Sequence, residues 1–145
     1  MIRQERPGAF ARIRGGGERP CIRGIVRFYQ LQDRVLVEAE ISGLPGPDGF
    51  HGFHIHEGKS CQGTDFAATG SHYNPAKGTH PNHAGDLPPL LSCGGKAYLA
   101  VETDRFTLRQ IIGRTVVIHS DRDDFTGQPS GNSGRKIACG VICQA

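Results

Sequence analysis

The chain contains no tryptophan and a single methionine, and no apolar run approaches the roughly 20 residues that a membrane-spanning helix requires. Residues 1–11 also lack the apolar stretch and small-residue cleavage site of a secretory signal. We therefore expect no membrane partner and a cytoplasmic location, or a periplasmic or secreted one if a leader has been trimmed. With 145 residues, the chain suffices for one compact core but not for two. We expect a tail at residues 1–8 and a single domain at residues 9–145.

Paired Cys-x-x-Cys spacing is also missing, which argues against a zinc ribbon or a thioredoxin-type redox site. The chain has five cysteines, an odd number, so at least one of them stays unpaired within a monomer. For Cys93 and Cys143 we expect burial as small apolar residues. Spacing alone assigns no chemistry to Cys21, Cys61 or Cys139.

Acidic residues are fewer than basic ones, 14 against 17, so the formal net charge is +3. Arginines are concentrated in the first part of the chain. A basic patch can mark a nucleic-acid surface. These arginines are spread along predicted strands, however, which is typical of solvated strand faces. We therefore predict no nucleic-acid partner. The arginines concerned are Arg3, Arg6, Arg12, Arg14, Arg19, Arg23 and Arg27.

Glycine and proline, in contrast, are abundant, with 21 and 9 copies. This composition favours short strands joined by turns and long loops over helices. Residues 35–41 alternate between the two faces with a period of two, and they place Glu38 and Glu40 on the outer face, which predicts a half-buried antiparallel strand. Similar patterns predict strands at 9–13, 22–29, 96–102, 115–120 and 137–142, and a helical turn at 107–112 that ends at Gly113.

Two segments, 57–95 and 121–134, are too long and irregular to be turns between strands. The first is rich in glycine, proline, histidine and asparagine, and the second in aspartate, glycine and serine. Long irregular loops in a compact domain are usually functional or disordered. Because these loops carry side chains that bind metals, we expect them to be functional.

All seven histidines lie between His51 and His119. His54 and His56 stand one residue apart at a predicted strand end, where strand alternation turns both rings to the same face. His119 ends the apolar run at 115–118, again near the end of a predicted strand. Each of these signals is weak alone, because surface His-x-His pairs and single structural histidines are common.

A denser group follows, in a segment where Pro81 and Gly85 exclude a regular helix. Three imidazoles and one carboxylate match a closed, four-coordinate zinc site, which would organise a loop with few apolar residues. A solvated polar loop is the alternative interpretation. The four residues are His72, His80, His83 and Asp86.

Five ordered stretches resemble the motifs of the copper/zinc superoxide dismutase family. The resemblance extends from about residue 22 to residue 142, and it implies an all-β fold: an eight-stranded Greek-key β-sandwich or flattened barrel with two long functional loops. The predicted strands permit that scaffold. The stretches are GFHIHE at 52–57, HYNP at 72–75, HAGDL at 83–87, IGRTVVIH at 112–119, and GNSG at 131–134 with ACG at 138–140.

Carried onto this sequence, the resemblance implies two neighbouring metal ions that share the imidazole of His72. Asp123 would accept hydrogen bonds from His54 and His80 and so fix the orientation of both rings. The implied copper ligands are His54, His56, His72 and His119, and the implied zinc ligands are His72, His80, His83 and Asp86.

Two features depart from the family pattern. Lys136 stands where the family usually has an arginine that lines the copper channel, so the charge is kept but the planar two-pronged donor is lost. The neighbouring Arg135 should point elsewhere because of strand alternation. The gap between His80 and His83 is shorter than the common family insertion, so the loop must turn more tightly.

The resemblance also implies an activity, the conversion of superoxide to O2 and H2O2 by an antioxidant oxidoreductase. His72 would deliver a proton to the departing peroxide, and Lys136 would attract the substrate anion. A disulfide between Cys61 and Cys139 and a backbone-bonded, framework role for His51 are implied as well. The partners that this interpretation allows are a second copy of the chain and a copper donor protein.

Two alternatives remain open on the sequence. One is a non-catalytic copper-binding or copper-delivery domain on the same fold, favoured by the lysine at position 136. The other is a zinc-stabilised structural domain without copper, against which the complete set of copper-type histidines argues.

Overall fold

The computed structural model describes residues 6–145, so Arg3 and most of the tail predicted at residues 1–8 lie outside the described residues. Within that range the regular secondary structure is almost all strand, and long loops connect the strands. The strands are β1 (Ala9–Gly15), β2 (Arg23–Gln30), β3 (Val35–Ser42), β4 (Phe50–His51), β5 (Phe53–His56), β6 (Leu90–Leu91), β7 (Ala97–Thr103), β8 (Thr115–His119) and β9 (Lys136–Gln144), with a 3-10 segment at Thr64–Thr69 and helix α1 at Leu108–Ile111.

Seven strands form one antiparallel sheet in the order β5-β8-β9-β1-β2-β3-β7, and β4 pairs with β6 in a two-stranded ribbon. The consecutive strands β7 and β8 lie near opposite ends of this order, so their connection crosses the molecule as in a Greek key. Gly52 alone separates β4 from β5, because its N–H donates to Asp121 O at 2.9 Å. Counted as one interrupted strand, β4 and β5 give the eight strands of the prediction, and the all-β fold class is confirmed.

The core lies inside the curled sheet, and β3 shows how the sequence specifies it. Its inward residues are at most 3% exposed, while Glu40 on the alternate face is exposed, as the period-two pattern predicts. Burying each valine or isoleucine side chain of this set contributes roughly 1.5–3 kcal/mol. The inward residues of β3 are Val35, Val37, Ala39 and Ile41.

The short helix α1 lies in the crossing connection, within the predicted turn. Thr107 precedes it, and the Thr107 N–H donates to Gln110 Oε1 at 2.8 Å, which forms a capping box. No helix within residues 6–145 is long and apolar enough to cross a membrane.

A disulfide joins Cys61 to Cys139 across a sequence separation of 78 residues, which confirms the pairing that the family resemblance implied. It ties the first long loop to β9, near the middle of the sheet. Closing a loop of this size contributes about 4 kcal/mol in the chain-entropy model.

The expected burial of Cys93 and Cys143 is wrong, since both side chains are exposed. Cys93 lies in the turn between β6 and β7, where it forms an isolated bridge with Lys96. Cys143 lies near the exposed end of β9. Small apolar residues are often buried, but a position in a turn or at a frayed strand end overrides that tendency.

Candidate metal centre

The edge of the sheet formed by β5 and β8 brings three distant histidines together. His54 and His56 lie on β5, and both are buried, with 0% and 2% exposure. His119 ends β8, where the pairing register shifts relative to β9. The ring centroid of His119 lies 4.9 Å from that of His54 and 5.5 Å from that of His56.

The outer nitrogens of two of these rings are held by backbone carbonyls. His56 Nδ1 donates to Gly70 O at 2.9 Å, and His119 Nδ1 donates to Gly134 O at 3.3 Å. Burial lowers the pKa of His56 well below its usual value and that of His119 to about 3, so both rings are neutral near pH 7. The two Nε2 atoms therefore carry lone pairs that face each other at 3.4 Å. Such an arrangement is unfavourable unless a cation lies between the two nitrogens.

Two further imidazole nitrogens complete this group. His54 Nε2 donates to Asp123 Oδ2 at 2.8 Å, while His54 Nδ1 and His72 Nε2 are buried without a hydrogen-bond partner among residues 6–145. The His54 and His72 rings stack with centroids 4.0 Å apart. Burial, as the largest cause, lowers the pKa of His54 to about 4. Four buried imidazoles thus offer ligand atoms within 4.8 Å of one another: His54, His56, His72 and His119.

A second group surrounds the carboxylate of Asp86. Its oxygens lie 2.7 Å from His72 Nδ1, 3.1 Å from His80 Nδ1 and 3.2 Å from His83 Nδ1. His83 Nδ1 also lies 3.3 Å from His72 Nδ1. Burial would raise the pKa of Asp86, but the hydrogen bond from His72 and the neighbouring imidazoles outweigh it and lower the pKa. Three nitrogens therefore converge on one ionised carboxylate.

The ligand atoms of His54, His72, His80 and Asp86 all lie within 4.8 Å of one another, and this set omits His83. We nevertheless favour His83 as the fourth member of this group. Its Nδ1 approaches the carboxylate of Asp86 directly, whereas the unbonded nitrogen of His54, Nδ1, belongs to the group of four imidazoles.

Asp123 lies between the two groups and contacts one histidine from each. Its Oδ2 accepts from His54 Nε2, and its Oδ1 accepts from His80 Nε2 at 2.7 Å. Burial would raise its pKa, but these two hydrogen bonds outweigh burial and hold the pKa below its usual range. An ionised Asp123 fixes the proton of each ring on Nε2 and leaves each Nδ1 free for a metal ion.

The backbone of the first long loop packs directly on β5. Ile55 N–H donates to Gly85 O at 2.8 Å, and Tyr73 N–H donates to Ile55 O at 2.8 Å. A Cβ atom on Gly85 would lie 2.2 Å from Ile55 O, so only glycine permits this approach. The contact places Asp86 beside His54 and His72 beside His56, so that the loop residues lie against β5.

A cavity of about 430 Å³ opens onto the first group of imidazoles. Lys136 lines it, and its Nζ donates to Thr69 Oγ1 at 2.8 Å and to Gly70 O at 3.0 Å. Burial lowers the pKa of Lys136. Arg135 points away from the cavity and forms ion pairs with Glu18 and Asp65. The histidines that line the cavity are His56, His72, His83 and His119.

The backbone partners of these histidines were not apparent from the sequence. Gly70 O and Gly134 O orient two rings, and Thr69 orients Lys136, but a backbone carbonyl leaves no signal in a side-chain pattern. Gly134 at least lies within the GNSG stretch. His51 Nδ1 donates to His119 O at 2.9 Å, which makes it a framework residue beside the group.

The family model for copper/zinc superoxide dismutase matches residues 22–142, most of the chain. The chain belongs to the copper/zinc superoxide dismutase family. Among its relatives in this family, superoxide dismutase [Cu-Zn] A of Xenopus laevis is 37% identical, over 90% of this chain and 93% of that protein. A superoxide dismutase [Cu-Zn] of Deinococcus radiodurans is 38% identical, over 83% of this chain and 77% of that protein.

The chain is also similar to proteins that are named copper chaperones and not dismutases. The copper chaperone for superoxide dismutase of Mus musculus is 35% identical over 86% of this chain, which spans 49% of the chaperone's length. Among solved structures, a double mutant of a SOD-like protein from Bacillus subtilis superposes with a TM-score of 0.82 at 30% identity, over 92% of this chain and 96% of that one. The fold is therefore that of the family. The names of the relatives point to two different activities, superoxide dismutation and copper delivery.

Proposed function

We propose that the protein is a superoxide dismutase with one copper and one zinc ion that share His72. The copper donors would be His54 Nδ1 together with Nε2 of His56, His72 and His119. The zinc donors would be Nδ1 of His72, His80 and His83 with the carboxylate of Asp86. Imidazoles suit copper in both oxidation states, and three nitrogens with one carboxylate suit zinc.

The observation that carries the copper assignment is the pair of lone pairs on His56 and His119 that face each other at 3.4 Å. Both rings are fixed from outside by backbone carbonyls, so neither can turn its N–H inward without losing a hydrogen bond. With the unsatisfied nitrogens of His54 and His72, they form a buried cluster of four nitrogen lone pairs. Within the part of the chain that the structure describes, no N–H group points into this cluster to pair with them. A cation is the group that such a cluster fits.

Copper in that position would supply one-electron chemistry, taking an electron from one superoxide and giving it to another, with O2 and H2O2 as products after uptake of two protons. The protein's own residues bring in the anion and the proton. Lys136 lines the cavity that leads to His119, so its ammonium group attracts superoxide. His72 Nε2 would hold a proton for the peroxide in the half-reaction in which it does not bind copper.

Lys136 differs in kind from the arginine that the family usually places there. Its Nζ already donates to two oxygens of the first long loop, which leaves one proton to face an anion. An ammonium group attracts as a point charge but cannot orient a diatomic anion through two parallel hydrogen bonds. We therefore expect efficient capture and less strict orientation of the substrate.

The test is direct measurement of superoxide decay by protein loaded with copper and zinc. The control is the His54→Ala/His119→Ala double variant, which removes two of the four copper donors. Catalysed decay that is lost in this variant supports the proposal. Decay no faster than that of the variant overturns it.

A copper-delivery domain is the second candidate, favoured by the similarity to copper chaperones and by Lys136. The same copper donors would then hold the ion for transfer to a partner protein. Transfer of copper to an acceptor protein with negligible superoxide turnover would decide for delivery. The cytoplasmic location, the homodimer and the copper donor protein stay predictions from the sequence.

A further inference from the structure

The turn from His80 to His83 carries two of the proposed zinc donors but has little packing of its own. Residues 75–79 and Asn82 are exposed, and Pro81 is only partly buried. Within the turn, Asn82 N–H donates to Thr79 O at 2.7 Å. Apolar contacts therefore do not explain how the backbone of this short turn is held.

Gln128, from the second long loop, forms hydrogen bonds with both backbone polar groups of His80. Gln128 Oε1 accepts from His80 N–H at 2.9 Å, and Gln128 Nε2 donates to His80 O at 2.8 Å. The Nε2 group also donates to Thr126 O at 3.1 Å, within its own loop. The side-chain amide thus pairs with both the N–H and the C=O of His80, as a neighbouring β-strand would.

Arg105, from the connection between β7 and α1, holds the other end of the turn. Its Nη1 donates to Pro81 O at 2.9 Å and to His83 O at 3.3 Å, and its Nη2 donates to Asn82 Oδ1 at 3.4 Å. The planar guanidinium spans the three residues through which the chain reverses. Neither Arg105 nor Gln128 contacts an imidazole ring or the carboxylate of Asp86 through a hydrogen bond in residues 6–145.

We propose that Gln128 and Arg105 are positioning residues for the second metal group, and that they preset His80 and His83 before a metal ion arrives. This inference rests on the proposed function only in taking zinc as the ion. Asp123 fixes the ring of His80, Gln128 fixes its backbone, and Arg105 fixes the turn that leads to His83. Preset donors lose less conformational freedom on binding, so affinity for the ion increases.

The test is the dissociation constant for Zn²⁺, measured by chelator competition on the full chain. Gln128→Met keeps the side-chain length and removes both hydrogen bonds to His80 together with the one to Thr126 O. The matched control is Gln32→Met at an exposed position. Arg105→Met is matched by Arg109→Met, which changes the net charge equally at an exposed site of α1. We expect Zn²⁺ binding about 10-fold weaker in Gln128→Met and Arg105→Met, and within about twofold of wild type in the controls.

Two further readouts separate positioning from general stability. Co²⁺ bound in place of zinc reports ligand geometry through its visible absorption bands, which should shift in the two variants but not in the controls. Copper affinity should stay within about twofold. Arg105→Lys should restore part of the Zn²⁺ affinity, because the ammonium group can still donate to a carbonyl of the turn but lacks the planar guanidinium that spans it.

Unchanged Zn²⁺ affinity and Co²⁺ spectra in both variants would overturn the inference, even if the metal-free variants melt at lower temperature. Wild-type protein that binds no zinc would overturn the proposed two-metal site instead. If one variant fails to fold, the other still decides, because both side chains are exposed and approach the turn from different elements.

Discussion

Asp123 accepts a hydrogen bond from one histidine of each group, and replacing it by asparagine tests how the site is organised. Each carboxylate oxygen accepts one ring N–H, from His54 at 2.8 Å and from His80 at 2.7 Å. Asparagine offers one acceptor oxygen, and its NH2 group must then face the other ring. That ring either loses its hydrogen bond or moves its proton to Nδ1, the nitrogen that the metal needs.

We expect His80 to be the ring that loses its hydrogen bond, because His54 is fixed on β5 whereas His80 lies in a loop. Hydrogen bonds to charged groups are worth about 1.5–3 kcal/mol, and a loss of about 2 kcal/mol corresponds to roughly 30-fold weaker binding. Asp123→Asn should therefore bind Zn²⁺ about 30-fold more weakly and Cu²⁺ less than about threefold more weakly. Chelator competition measures both affinities.

Asp104→Asn is the control, because it removes the same charge from an exposed loop position. Zn²⁺ affinity of Asp123→Asn equal to that of this control would refute the role of Asp123 in fixing the tautomer. A larger loss of Cu²⁺ than of Zn²⁺ would show that the ring of His54, and not that of His80, depends on the carboxylate.

Three other results are expected. Gly131→Ala should lower the melting temperature and Zn²⁺ affinity together, because φ is +77° and a Cβ atom would lie 2.2 Å from Asp123 Oδ1. Lys136→Met should slow superoxide decay about fivefold, the effect of about 1 kcal/mol for one charge near 4 Å in water, and reduce its salt dependence. Metal-free protein should lose stability as pH falls from about 6.5 towards 4, because the folded-state pKa values of His54 and His119 lie below the unfolded value of 6.5.

A specific outcome would contradict each of these three expectations. Wild-type melting and Zn²⁺ affinity in Gly131→Ala would show that the second loop yields without disturbing Asp123. Lys136→Arg should recover the rate, and a Lys136→Met rate equal to wild type would exclude a guiding role. For the metal-free protein, denaturant titrations whose unfolding free energy is constant from pH 7 to pH 4 would show that the buried histidines are not neutral when folded, since protons bind the unfolded chain first.

Much of the site could be predicted because its side chains are distinctive and the strand pattern is strong. The alternation along β3 fixed its inward face, and His54 and His56 were expected on one side of a strand end. The meeting of these two residues with His119 depends on the antiparallel pairing of β5 with β8, which the family resemblance supplied and periodicity alone did not.

Other parts could not be predicted, for physical reasons. Gly52 interrupts a strand because its N–H bonds to the second loop, a tertiary contact without a local signal. Gln128 and Arg105 act on backbone groups of a turn far away in sequence, and an exposed glutamine or arginine in a loop resembles any solvated residue. Cys93 and Cys143 were misjudged because burial was inferred from residue type, whereas their places in a turn and at a strand end decided it.

The central claim is that one imidazole, His72, faces both a four-nitrogen copper site and a zinc site. Electron paramagnetic resonance of protein carrying one equivalent each of copper and zinc, with metal analysis of the same sample, tests this claim most directly. The account predicts a Cu(II) signal with four nitrogen ligands beside one zinc, and loss of one nitrogen in His119→Ala. A Cu(II) signal with fewer nitrogens, or one that His119→Ala leaves unchanged, would contradict it.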